Sequence, residues 1–170
     1  MSVQDGSIPP LLMFRSFLTI ASGLVLHNVA LYGLLFAIGY AFFPQFAAFL
    51  ELDSEQQQQL VASDIHQVIP RAMYWSVLAA TAVASVGIGI FIGWSAPFGR
   101  FVHSVFLAVI VGVSYLQAAM GQDQGKKALM MTCLFIFPLA IMIGGHLITN
   151  WMAEDDQAGQ RAELLDSDSV

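Results

Sequence analysis

A chain of 170 residues with 57% hydrophobic and only 11% charged side chains lies far from a water-soluble domain, in which about a quarter of residues are charged. That composition describes one membrane-embedded domain whose first partner is the lipid bilayer. The net charge of −6 comes from loops and tail and excludes electrostatic attraction to nucleic acid or to anionic lipid headgroups. The single cysteine, Cys133, has no partner for an internal disulfide and says nothing about the redox compartment.

In chain order, residues 1–16 form a polar to mixed segment in which Pro9 and Pro10 oppose an early helix and Arg15 is the first positive charge. Residues 17–43 then run without a charge, past the roughly 20 residues that cross a bilayer and past the apolar region of a signal peptide. Pro44 ends this first span, and Phe42, Phe43, Phe46 and Phe49 are expected where aromatic rings meet headgroups. Asp53 and Ser54 ahead of Gln56 and Gln57 read as an N-cap with a capping-box partner. They predict a short helix that gathers Leu60, Val61, Ile65, Val68 and Ile69 on one side, stops at Pro70 and lies along the membrane surface. Asp64 and His66, two apart, fall on different faces of it and do not pair for a metal.

The second span, about 72–96, carries Tyr74 and Trp75 at one end and Trp94 at the other as interfacial anchors. Within it Thr81, Ser85, Gly89 and Gly93 repeat every fourth residue, which on a helix stacks them into one groove. Lipid tails are as apolar as side chains, so helices in a bilayer associate through close backbone approach, and such a ladder permits it. We therefore expect these four residues to face another helix. A tight link from Ser95 to Arg100 leads into a third span, about 101–121, with Ala108 and Gly112 as a second small-residue step. A polar link, Gln122 to Lys127, delivers a fourth span at about 128–152 with Pro138 inside, predicting a kink near Leu134. Residues 153–170 are rich in Asp and Glu and read as a disordered acidic tail. The expected fold is all-α: an integral membrane four-helix bundle over 17–152, with a short interfacial helix in its first loop.

The chemistry is thin. No Asp, Glu, Lys or Arg falls within the four spans, although such residues mark proton relays and ion pathways. No H-E-x-x-H, G-x-S-x-G or Gly-rich phosphate loop occurs, so hydrolytic and nucleotide-dependent activities have no residues to rest on. Met130, Met131 and Cys133 are soft donors suited to Cu(I), but they read first as simple apolar side chains at the start of the fourth span. His27, His103 and His146 form the one constellation with a cofactor meaning, as ligands of haem or a metal. At about 1.5 Å of rise per residue they sit roughly one turn, 9 Å and 15 Å deep in the order His103, His146, His27, all in the same half of the membrane. Gly23 and Gly145 would leave room beside His27 and His146 for a flat ligand. Against this, Asn28, Ser104, Thr149 and Asn150 are close enough in sequence to give the imidazoles hydrogen-bonding neighbours, and no cofactor is the first expectation.

Three functional classes remain, in this order. The first is a structural or accessory subunit that packs with other membrane subunits or with itself. The second is a haem or metal redox protein, and the third a small transporter or channel with only Asn28, Gln117 and Asn150 to line a path. Four spans put both termini on one side. Arg15, Arg100 and Arg161 on that side balance Arg71, Lys126 and Lys127 on the other, so the positive-inside rule does not choose. Cytoplasmic termini avoid translocating the N-terminus and the tail. Reporter fusions at Met1 and at Val170 are expected to respond identically to membrane-impermeant reagents; opposite responses would refute four spans.

Overall fold

The computed structural model describes the backbone of residues 9–60, 70–120 and 124–167. Among these the regular structure is entirely helical. α1 spans Pro10–Phe42, α2 Pro44–Leu50, α3 Arg71–Ser95, α4 Arg100–Met120 and α5 Gln124–Ser167, and residues 54–60 form a further helical stretch. Four segments are long and apolar enough to cross a membrane: Pro10–Phe42, Arg71–Ser95, Arg100–Met120 and Leu129–Asp155. The architecture is that of a multi-pass integral membrane protein. Its outward surface agrees with this, since Phe14, Phe17, Val25, Val29, Val83, Phe135 and Leu139 are all more than half exposed, a distribution that water would penalise and lipid does not.

The prolines at the N-terminus start α1 and do not delay it. Pro10 occupies the first helical position, where a missing N–H is no loss and the fixed φ is already helical, and the N–H groups of Leu12 and Met13 donate to the Pro9 carbonyl at 2.9 and 3.2 Å. Arg15 therefore lies inside the helix, exposed, and the span begins earlier than residue 17. At the other end Phe43 adopts an extended conformation (φ −129°, ψ 90°), as the residue before a proline prefers. Pro44 then opens α2.

The contacts divide the chain into two compact units, Val25–Ala84 and Met1–Leu24 with Ser85–Val170. The first of these contains α2. Its Phe46 is 4% exposed and forms a core with Met73 and Val77, against which Leu35, Ile38, Phe43, Phe49 and Leu60 pack. The Phe46 ring lies 6.1 Å from that of Phe36 and 6.5 Å from that of Phe49, within the range of favourable aromatic pairs. Gly39 makes this possible, because a Cβ there would come within 2.6 Å of Met73 Cε. Asp53 caps the next helical stretch, its Oδ1 accepting the Gln56 N–H at 2.8 Å. The Gln57 amide does not close a capping box; it reaches back to the Phe49 and Leu52 carbonyls at 3.2 and 3.0 Å. Residues 61–69, with Asp64 and His66, lie outside the described residues.

In the other unit α3, α4 and α5 meet through glycine. A Cβ on Gly89 would strike the Ile141 carbonyl oxygen, and one on Gly144 would strike that of Val86, so the backbones of α3 and α5 touch reciprocally. A Cβ on Gly93 would meet the side chain of Ile148. Between α4 and α5, Gly112 faces Leu134 and Pro138, and the Tyr115 and Phe137 rings stand 5.3 Å apart. α5 passes through Pro138 as one helix.

That helix also continues to Ser167, where composition predicts a disordered tail. Lack of a buried core does not forbid helix when a span has already nucleated it and Ala, Glu, Gln, Arg and Leu, all good helix formers, carry it on.

The glycines make opposite predictions. Gly89→Leu must separate two backbones and is expected to cost at least about 1–3 kcal/mol, seen as a lower thermal midpoint in detergent. Ile90→Leu should leave the midpoint unchanged, and so should Gly87→Ala, whose Cβ would enter open space. Equal midpoints for Gly89→Leu and Gly87→Ala would refute the packing.

Candidate functional site

The four small residues of α3 are all buried: Thr81 and Ser85 have no exposed surface, and Gly89 and Gly93 are buried with them. Thr81 falls in the unit Val25–Ala84 and the other three in the second unit. Ser104, on α4, joins this region as a polar clasp, fully buried, with its hydroxyl donating to the Gly89 carbonyl at 3.3 Å. A Cβ on Gly145 would collide with the same Ser104 side chain. Three helices thus converge where Gly89, Ser104 and Gly145 interlock. Thr81 Oγ1 is, among the described residues, the buried side-chain polar atom with no hydrogen-bond partner.

His27 is 3% exposed in the unit Val25–Ala84, whereas His103 and His146 belong to the other. His103 is held at the turn between α3 and α4. Gly99 has φ +55°, a conformation that glycine takes without strain. Its carbonyl accepts the His103 backbone N–H at 3.3 Å and lies 3.2 Å from His103 Nδ1. The Phe98 ring meets the imidazole edge-on at 5.4 Å, and the side chain is 4% exposed.

His146 faces the other way. It is exposed on α5, its Nε2 3.0 Å from the amide nitrogen of Asn150, one turn on, and its ring 6.0 Å from Phe101 in an edge-on contact. The space foreseen for a flat ligand is filled by packing: Gly145 by Ser104, and Gly23 by the side chains of Ile92 and Leu107. Met130 and Met131 are half-buried and Cys133 is buried. Among the described residues no three His, Cys, Asp or Glu side chains converge as a metal group would require.

The remaining polar side chains of the spans are mostly tied to their own helices. The hydroxyls of Ser16, Ser22, Ser76, Ser114 and Thr149 donate to carbonyls four residues back at 2.7–2.9 Å. Asn28, Gln117 and Asn150, the polar residues available for a transport path, are all exposed.

Of the two polar contacts, one was legible in the sequence. The His146 and Asn150 pair was available from its spacing of four, which places both on one face. The Ser104 clasp had no sequence signal, because its acceptor lies on another helix. No protein-family model, no curated protein and no solved structure matches this chain.

Ser104→Ala is expected to lower the thermal midpoint in detergent, since interhelical hydrogen bonds in membrane proteins contribute about 0.6 kcal/mol on average and up to about 1.7. Ser114→Ala, which removes only a bond to its own helix, is the control and should leave the midpoint in place.

Proposed function

We propose that this chain is a structural or accessory subunit of the membrane, one that works by packing with other membrane subunits or with itself, with both termini on the cytoplasmic side. The interlocked Gly89, Ser104 and Gly145 carry this reading: a Cβ on Gly145 would meet Ser104, and Ser104 donates to the Gly89 carbonyl. Small and polar residues are there committed to helix association, the use that lipid makes of them. A channel or transporter would line its interior with polar groups, and the exposure of Asn28, Gln117 and Asn150 gives that reading no support.

A second reading, a haem- or metal-binding redox protein, rests on His103. With Nδ1 at the Gly99 carbonyl, Nε2 is the nitrogen left for a ligand, and backbone carbonyls orient metal-binding imidazoles in this way. His146 fits it less well, because its Nε2 faces Asn150.

One preparation separates the two. Extracted from its own membrane in mild detergent, the chain is expected to run within a colourless, stoichiometric assembly larger than its own 18.5 kDa. A Soret band that disappears in His103→Ala would put the redox reading first.

A further inference from the structure

We infer that α5 is the contact helix of a parallel two-fold dimer, with a second copy of this chain seated along Leu139, Ile143, His146, Asn150 and Ala153. The inference rests on the accessory reading and supplies its partner. These five positions are spaced four, three, four and three apart, the a and d rhythm of a coiled-coil seam, and all five are exposed. They lie opposite the buried face of the same helix, formed by Phe137, Ile141 and Ile148. An outward apolar seam is unremarkable in lipid. A hydrogen-bonding pair at its centre is different.

Counted back from Glu154, the first charged side chain beyond the span, His146 lies about 12 Å and Asn150 about 6 Å inward along the helix. Their mutual contact at 3.0 Å uses one donor and one acceptor. Whichever way the amide is turned, a further donor and a further acceptor remain on the outer face, and hydrocarbon satisfies neither. The outward serines avoid this difficulty by returning their hydroxyls to their own helix, as Ser114 does to the Ile110 carbonyl at 2.9 Å.

The chemistry of the pair names its occupant. It presents donors and acceptors together, so it complements itself, and a two-fold axis parallel to the helix sets Asn150 against Asn150 and His146 against His146. A single polar Asn on such a seam fixes register and oligomeric state. Glu154 falls beside the seam and not on it, so like charges do not meet across the axis.

The test uses the full chain in lipid vesicles. In a Cys133→Ala background, Ala153→Cys on the seam is expected to cross-link to its copy on mild oxidation, and Val102→Cys, exposed on α4 but off the seam, is not. Asn150→Leu keeps the seam apolar, and by the usual strength of interhelical hydrogen bonds it should raise the dimer dissociation constant roughly 3- to 30-fold. That constant is measured by energy transfer between labelled copies. Energy transfer no greater than dilution predicts, equal cross-linking at the two cysteines, or an Asn150→Leu dimer as tight as the original would each overturn the inference. A chain that does not self-associate yet migrates in a stoichiometric membrane assembly would leave the accessory reading standing; one that does neither would remove both.

Discussion

The reciprocal contact of Gly89 with the Ile141 carbonyl and of Gly144 with the Val86 carbonyl is the constraint on which the second unit depends. Where two backbones touch, no side chain larger than hydrogen fits between them, and dispersion between closely packed atoms supplies the attraction that the hydrophobic effect cannot supply in lipid. α4 joins α3 and α5 at the same place. Ser104 enters beside Gly145 and finds the Gly89 carbonyl. Gly112, two turns further along α4, then receives Leu134 and Pro138.

The unit Val25–Ala84 is built by a different device. No glycine ladder joins its helices at Phe46; an aromatic side chain from the short α2 fills the space between the end of α1 and the start of α3. The break that makes this possible is local, an extended Phe43 before Pro44, and Gly39 supplies the recess into which Phe46 and Met73 fit. Packing by shape in one unit and by backbone contact in the other leaves few polar groups uncommitted. Those that remain are informative: a buried Thr81 hydroxyl in the ladder, an imidazole braced at a turn, and an Asn–His pair turned outward. The last is the feature most at odds with a chain that lives alone in lipid, because an outward polar group in a bilayer is costly unless something covers it.

Several features were legible from residue type and spacing alone. The four spans follow from uncharged length, and the Asp53 cap from a side chain that can accept an N–H three residues on. Elsewhere the position of a residue within its helix decides what a local preference allows. Pro9 and Pro10 oppose a helix interior, yet proline favours the first turn, and Pro10 opens α1. The acidic composition of residues 153–170 predicts disorder, while α5 runs on to Ser167, since a helix already begun needs only good helix formers to continue. Phe46 packs onto Met73, a contact that nothing in the sequence reports, because it depends on how α2 folds back.

Hydropathy and local backbone preference in the sequence alone establish four membrane-length helices and a face of small residues on the second of them. These are properties of a segment and its solvent, and they need no neighbour. Which residues meet was decided only by the tertiary structure. His103 and His146 share a unit while His27 lies in another, Gly145 is filled by Ser104 and not by a ligand, and His146 faces outward. The reason is that every apolar helix in a bilayer is free to turn any face inward. The choice is made by whichever pair of helices can approach most closely, a property of two surfaces together that neither carries alone.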